Sequence, residues 1–252
     1  MEHPCAQFGH RRGDNMTDQP WYCVRQRAGP LVKECRAIRP RLSKYDTPYE
    51  RREKNMILYP NRDSSVCRSN VDRLELRLAL FGNEGRIYTL TFADEPARFA
   101  DCRKLWRAYL RKLQRKRGQG FDYIYLIEGQ HGDHRYHIHF AARDSDFDKA
   151  DIRRLWTYGT VDDEPLILHD MDTYRRTAKY WCKEANDGVR LPVGAHTWVP
   201  SMSITAQLPE PEIFRSDTGA INIPPGVRVS GKSQTENSFG AYNYAWYIEA
   251  EK

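Results

Sequence analysis

The stretch "YIYLIEGQHGDHRYHIHFAA", residues 123–142, predicts a β-hairpin. Two runs rich in aromatic and aliphatic residues, 123–128 and 136–142, flank a polar segment that contains two glycines. This pattern is typical of two antiparallel strands joined by a turn. Four of the eight histidines in the chain fall between positions 131 and 139. The predicted hairpin therefore contains half of the histidines in the chain.

Residues before the hairpin predict a strand and a long helix. "RIYTLTF", Arg86–Phe92, alternates β-forming residues and predicts a strand, whereas "VDRLELRLALF", residues 71–81, fits either a helix or a strand. Asp94 is expected to cap a helix that has Pro96 in its first turn and ends at Gly118. The apolar stripe of this helix is Phe99, Cys102, Trp106, Leu110 and Leu113.

The elements predicted after the hairpin complete an α+β pattern. They are a helix in "DFDKADIRRLW" (146–156), a strand in "LILHD" (166–170), a helix in "DTYRRTAKYWCKEA" (172–185) and a strand in "HTWVPSMS" (196–203). This order favours a central antiparallel sheet with helices packed on it, in the ferredoxin-like style.

Composition divides the chain into three predicted parts. Residues 1–70 form a basic N-terminal extension with few core positions, residues 71–208 a compact domain, and residues 209–252 a Pro/Ser/Gly-rich tail. The extension is either a partly ordered segment or a strip that binds phosphates. The aromatic residues near the end of the tail either pack on the domain or stack on bases.

The formal net charge is +6 and favours an acidic partner, with nucleic acid as the first candidate. The sequence contains no run of eighteen apolar residues, so no membrane span is predicted. Residues 1–16 lack the apolar segment of a secretory signal. The six cysteines are scattered without a CxxC pair, which is typical of reduced thiols in a cytoplasm.

The outer face of the long helix is uniformly cationic, through Arg103, Lys104, Arg107, Arg111, Lys112, Arg115, Lys116 and Arg117. A charged helix face is usually only solvated. Because all eight charges share one sign, phosphate contact is the preferred interpretation.

His137 and His139 are candidate metal ligands. They are two residues apart on a strand, so both point to one face, about 7 Å apart along it. If Glu128 on the partner strand lies opposite either histidine, it shares that face, and its Cβ lies about 5 Å from the Cβ of the opposite histidine. Two imidazoles and a carboxylate make an open divalent-metal site. The alternative is histidines on a solvated strand. His131 and His134 are assigned to the turn.

The helix at 172–185 contributes a candidate nucleophile. On a helical wheel, Tyr174, Thr177, Ala178 and Trp181 form the buried stripe. Tyr180 lies on a second face that also carries Thr173, Arg176 and Lys183. A phenol is a poor nucleophile unless cations help it, and Lys183 and Arg176 are the cations within reach. The same cations can bind a phosphate.

"GVRVSGKS", residues 226–233, fits the phosphate-binding loop pattern GxxxxGK[ST]. That loop functions only between a buried strand and a helix N terminus. Since "INIPP" precedes the pattern and fewer than twenty residues follow it, ATP is not expected to bind.

Three short motifs occur in a fixed order: "YTLTF" (88–92), Glu128 with "HIH" (137–139), and "KYWCK" (179–183). In this order they resemble the motifs of HUH-type rolling-circle replication initiators of phages and plasmids. The resemblance covers about residues 70–210 and includes the segment "HTWVPSMSITAQLPEP" (196–211).

The chain departs from that family at two places. Relatives often carry a second tyrosine where Arg176 stands here, which implies a single nucleophile, Tyr180; Tyr174 is a poorer substitute because it lies on the buried stripe. The trailing segment also lacks the expected basic residue before its leucine and is uncharged until Glu210. A DNA contact from that segment is therefore in doubt.

The resemblance implies a site-specific DNA endonuclease of ferredoxin-like HUH fold. Glu128, His137 and His139 would hold Mg²⁺ or Mn²⁺. Tyr180 would attack single-stranded origin DNA or an origin hairpin, leaving a 5′-phosphotyrosine and a free 3′-OH, with Lys183 stabilising the developing charge. DNA contacts are assigned to the side chains of Arg176, Lys179, Arg103, Arg107, Arg111, Lys112 and Arg115.

The same resemblance implies host partners and a compartment. A host DNA polymerase would extend the 3′-OH, a separate host helicase would unwind the duplex, and the protein would act in the cytoplasm of a bacterial cell. Two alternatives stay open. One is an HUH transposase or relaxase that rejoins strands, and the other is a non-catalytic, metal-stabilised DNA-binding protein.

Overall fold

The computed structural model describes residues 20–58, 65–94, 96, 98–129, 135–166, 173–183 and 195–249, with the backbone alone at 65–69, 173 and 230. The helices are α1 Pro48–Leu58, α2 Ser65–Ala79, α3 Phe99–Arg117, α4 Lys149–Leu155, α5 Thr173–Trp181 and α6 Met202–Ala206. The strands are β1 Trp21–Ala28, β2 Leu31–Ile38, β3 Gly85–Phe92, β4 Ile124–Glu128, β5 His137–Arg143, β6 Gly159–Pro165, β7 Val199–Pro200, β8 Glu212–Ser216, β9 Arg228–Asn237 and β10 Gly240–Ile248.

The central sheet has the order β6-β3-β5-β4-β7, and all its neighbours are antiparallel. The α+β class and the sheet with helices packed on it are confirmed. The ambiguous segment 71–81 belongs mainly to helix α2. The strand predicted at 196–203 is reduced to Val199–Pro200, because Ser201 caps helix α6 through its side chain. Beyond Leu166, the strand predicted at 166–170 lies outside the described residues.

Helices cover the central sheet on both faces. Helices α3 and α4 pack on the face that carries Tyr88, Ile138 and Phe140, which we call the α3 face. Helices α2 and α5 pack on the face that carries Ile87, Leu126 and Ala141, which we call the α5 face. Each strand contributes to both faces because successive side chains alternate.

The predicted hairpin is confirmed by the pairing of β4 with β5. Its α3 face is rich in aromatic residues: the rings of Tyr88 and Phe140 stack with centroids 4.7 Å apart, and Trp106 lies 5.4 Å from Phe140. Burial of such rings is a large favourable contribution to folding. The turn residues His131 and His134 lie outside the described residues.

Helix α3 begins later than predicted. It starts at Phe99 with Arg98 as the N-cap residue, so the assignment of Asp94 as the cap is wrong. The backbone N–H of Ala93 still donates to Tyr158 O at 2.8 Å. Because the chain is held against the sheet edge at that point, it turns into the helix only several residues later. The predicted end at Gly118 is confirmed, with φ +77° in the left-handed region.

A second sheet, which we call the flanking sheet, combines both ends of the described chain in the order β8-β1-β2-β10-β9. The expectation of few core positions in the N-terminal segment is wrong, since seven of the eight residues of β2 are buried. Its charges are buried because they are paired: Glu34 accepts from Arg36 at 2.7 Å and from Arg25 at 2.8 Å. The three-part division of the chain stays a prediction.

The flanking sheet is joined to helix α5 through helix α2. Lys33 of β2 and Arg175 of α5 both contact the buried carboxylate of Glu75, Arg175 at 2.8 Å. In the tail, Tyr242, Tyr244 and Trp246 contact one another along β10. The pattern at 226–233 lies largely on strand β9 and does not connect a strand to a helix.

Candidate active site

Strand register brings the predicted metal ligands to one face. Glu128 lies opposite His137, and Leu126 lies opposite His139. Glu128 thus lies opposite one of the two histidines, and the condition on which a shared face depended is met. All three side chains belong to the α5 face, because they share the strand parity of Leu126 and Ala141.

A direct polar contact runs diagonally across the hairpin, between Glu128 and His139, which we call the polar pair. His139 Nε2 lies 3.0 Å from Glu128 Oε2, and its Nδ1 lies 3.1 Å from Thr89 Oγ1. The Thr89 hydroxyl can donate or accept, so it orients the ring in either tautomer. Thr89 lies inside the first motif, but its role depends on the β3–β5 register, which pairs it with His139.

Helix α5 holds Tyr180 above the polar pair. Tyr174, Ala178 and Trp181 are almost fully buried, as the predicted stripe requires, whereas Tyr180 is 49% exposed. The ring centroids of Tyr180 and His139 are 6.0 Å apart and nearly perpendicular. The predicted nucleophile is therefore accessible and adjacent to one of the predicted ligands.

Lys183 connects Tyr180 to the polar pair. Its Nζ lies 4.1 Å from the centroid of the Tyr180 ring and forms an ion pair with Glu128 Oε1. The structure thus brings together four predicted site residues through direct contacts. His137 shares their face by register.

Electrostatics hold the Glu128 carboxylate in its charged form. Burial alone would raise the pKa of Glu128, but hydrogen bonds from His139 and Lys183 outweigh burial and lower it to about 2. Burial lowers the pKa of Lys183, yet its contacts with Glu128 and Tyr180 outweigh burial and leave that pKa raised. Both groups are therefore charged at neutral pH.

The polar pair fits a divalent cation in part. Two imidazoles and one carboxylate are a donor set that suits such ions. Two neighbouring ligands of one octahedral cation, each at about 2.1 Å, lie about 3 Å apart, which agrees with the Nε2–Oε2 distance. Across the described residues, no group of three His, Cys, Asp or Glu side chains is already assembled to hold a metal. A three-ligand site therefore needs His137 to join the pair.

A cleft of about 290 Å³ opens beside Tyr180, over β3 and the edge strand β6. Its lining residues are Ile87, Thr89, His139, Glu164, Pro165, Leu166, Arg176, Thr177, Tyr180 and Trp181. Arg176 was expected near the site, whereas Glu164 was not. Only the pairing of Glu164 with Ile87 places it on the α5 face.

The predicted DNA-binding residues fall on two different surfaces. Arg176 and Lys179 are exposed on α5, near Tyr180. The cations of α3 lie beyond the opposite face of the central sheet, because Cys102, Trp106, Tyr109 and Leu113 of this helix pack there. The α3 cations assigned to DNA are Arg103, Arg107, Arg111, Lys112 and Arg115. They cannot reach Tyr180.

The part of the chain that holds these residues matches a known family. A family model described as replication-associated protein ORF2 matches residues 85–188, from β3 through α5. The match includes the polar pair, Tyr180 and Lys183. No curated protein and no solved structure matches the chain. The match associates this region of the chain with replication. Every described helix is too short or too polar to serve as a membrane span.

Proposed function

We propose that this protein initiates replication by nicking single-stranded origin DNA with Tyr180 as the nucleophile. The observation that carries this proposal is the position of the exposed Tyr180 ring, 6.0 Å from His139 and in contact with Lys183. All of these residues lie inside the region that matches the replication-associated family.

In the proposed reaction, the phenolic oxygen of Tyr180 attacks the scissile phosphorus in line with the leaving 3′ oxygen. The bond from the tyrosine oxygen to phosphorus forms and the bond from phosphorus to the 3′ oxygen breaks. In the net reaction the phenol proton ends on the 3′ oxygen. The products are a 5′-phosphotyrosine and a free 3′-OH.

Residues of the α5 face would hold a divalent cation for this step. Glu128, His137 and His139 are the proposed ligands of Mg²⁺ or Mn²⁺, and Thr89 orients His139 through its Nδ1. The bound ion would polarise the scissile phosphate and neutralise part of its charge. Glu128 is ready for this role because its low pKa keeps it ionised.

Lys183 has two roles in this proposal. Its ammonium lies over the Tyr180 ring, where a positive charge stabilises the phenolate that forms during attack. It also neutralises Glu128 before a cation binds. Arg176 lies four residues before Tyr180 and so about 6 Å along the helix, where its guanidinium can bind a neighbouring phosphate.

A free 3′-OH is a primer, so the proposed reaction requires host replication proteins as partners. A host DNA polymerase would extend it, a separate host helicase would unwind the duplex, and the protein would work in the cytoplasm of a bacterial cell. Rejoining of strands by a transposase or relaxase would use the same nucleophile, so the products formed on a complete origin distinguish these enzymes from an initiator.

The test incubates the protein with Mn²⁺ and single-stranded DNA from the origin of its replicon, and then looks for a protein–DNA adduct that survives denaturation. We expect an adduct with the wild-type protein and none with Tyr180→Phe. Tyr158→Phe is the matched control, because Tyr158 packs on Trp156 in the α3-face cluster and should leave the adduct unchanged. Equal adduct in Tyr180→Phe would refute the nucleophile. Binding without any adduct would favour a non-catalytic DNA-binding protein.

A further inference from the structure

The cleft beside Tyr180 lies on the side of the nucleophile away from Glu128. The strand order places β4, which carries Glu128, on one side of β5, and places β3 and β6 on the other. Single-stranded DNA that crosses the α5 face through the site would therefore run from the Lys183 side, past Tyr180, and over the cleft.

Two opposite charges line this cleft without forming a pair. Within the described parts of the chain, the Arg176 side chain has no carboxylate at ion-pair distance, and the Glu164 side chain has neither an ion pair nor a hydrogen bond. Both side chains are exposed at the rim. An unpaired guanidinium next to Tyr180 suits a phosphate, and an unpaired carboxylate suits a neutral group that donates hydrogen bonds.

The floor of the cleft is apolar. Ile87, Leu166 and Trp181 are all buried, and they lie beneath the rim residues. A planar, partly apolar ring is the part of a nucleotide that such a floor can bury. The volume of about 290 Å³ is at the low end for ligand sites, which suits one base rather than a stacked pair.

We propose that this cleft binds the base of the nucleotide next to the scissile phosphate and that Glu164 selects a base with adjacent N–H donors, guanine above all. Guanine presents a ring N–H and an exocyclic amino group side by side, which match the two oxygens of a carboxylate. Thymine presents only one N–H between two carbonyls. Arg176 binds the phosphate of the same nucleotide. This inference rests on the proposed function and adds base selection to it.

The test measures binding rather than cleavage, in a Tyr180→Phe background. The probes are an oligothymidylate and the same oligomer with one central guanine, compared by fluorescence anisotropy. We expect the guanine oligomer to bind at least about fivefold more tightly, the lower end for a good two-bond base contact. Glu164→Ala should remove this preference and Glu164→Gln should weaken it. Glu236→Gln, on the exposed side of β9, should leave it unchanged.

Arg176→Gln provides the complementary readout. It should weaken binding of both oligomers equally. It should also reduce the slope of log affinity against log salt concentration by roughly 0.7, the value for one phosphate contact on single-stranded DNA. Equal binding of the two oligomers by the Tyr180→Phe protein would overturn the inference. An undiminished guanine preference after Glu164→Ala would also overturn it.

The two proposals fail separately. If guanine is preferred but wild-type protein forms no adduct with origin DNA, the cleft is a nucleotide site and the nicking proposal is wrong. If the adduct forms but no base is preferred, nicking stands and base selection by Glu164 is wrong.

Discussion

Along strand β5, successive side chains meet opposite surroundings. Ile138, Phe140 and Ala142 are completely buried under α3 among aromatic rings. His137 and His139 point the other way, toward α5, where Thr89, Glu128 and Tyr180 collect. The two faces of one sheet thus separate packing from chemistry, because a strand alternates its side chains.

The two faces also differ in how completely they are covered. On the α3 face, Trp106 is completely buried and contacts four other aromatic rings. On the α5 face, the cleft beside Tyr180 leaves part of β3 and β6 open. Substitutions on the first face should therefore change stability, and substitutions on the second should change activity. Trp106→Ala and His139→Ala test this separation directly. Two further predictions concern the charge of Glu128, which also stabilises the fold, and the cations of α3.

The largest effect is expected from Trp106→Ala. Removing a buried indole leaves a cavity and should lower the free energy of unfolding by about 3–5 kcal/mol, measured by urea denaturation. Folded variant protein should still form the Tyr180 adduct at low temperature. Loss of adduct from correctly folded variant would show that the two faces are coupled.

His139→Ala should produce the opposite result. We expect adduct formation to fall at least about a hundredfold, the scale on which loss of one charge-stabilising group is felt in an active site. The free energy of unfolding should change far less than in Trp106→Ala. His196→Ala, at an exposed position outside the site, is the control. Unchanged adduct formation in His139→Ala would remove this residue from the site.

Glu128→Gln should reveal a pH-dependent contribution to stability. The pKa of Glu128 is lowered from 4.5 to about 2 in the folded protein. Its ionised form therefore stabilises the fold above about pH 4.5, and this contribution is lost as the pH falls toward 2. The contribution is on the order of 3 kcal/mol, since the pKa falls from 4.5 to about 2 and one pKa unit corresponds to about 1.4 kcal/mol.

The check is urea denaturation of both proteins at several pH values. The stability difference between wild type and Glu128→Gln should be constant near neutral pH and shrink below about pH 4.5. A difference that persists unchanged to pH 2 would contradict the ion-paired state of Glu128.

The smallest effect is expected from the cations of α3. The double substitution Arg107→Gln with Arg111→Gln should weaken binding of long DNA a few-fold and reduce its salt dependence by about two phosphate contacts. Cleavage of a short oligonucleotide at Tyr180 should be unchanged, because these side chains lie beyond the opposite face of the sheet. An unchanged salt dependence would mean that this helix face is only solvated.

Local patterns in the sequence predicted the central hairpin and the face of α5. The β4–β5 pairing follows from two β-forming runs around a turn, and burial of Tyr174 follows from helical spacing. The shared face of His137 and His139 follows from strand parity alone, whereas the place of Glu128 on that face also depends on the register of the hairpin.

Features that depend on distant pairing were missed. Strand β2 carries the charged residues Lys33, Glu34 and Arg36. Charges at this density are typical of a solvent-exposed basic segment. Their burial depends on partners far away, such as Thr218, whose carbonyl accepts from Arg36 at 3.0 Å. In the same way, Thr89 and Glu164 enter the site through pairing between strands that are separated by helices, and no local pattern predicts that register.

The most direct test of the account identifies the residue that carries the DNA. Trypsin cleaves after Lys179 and Lys183, so digestion of the denatured adduct releases the peptide Tyr180–Lys183, sequence YWCK. Mass spectrometry after nuclease trimming should find the nucleotide on this peptide, attached to the tyrosine. A nucleotide attached to any other residue, such as Tyr136 or Tyr158, would contradict the account.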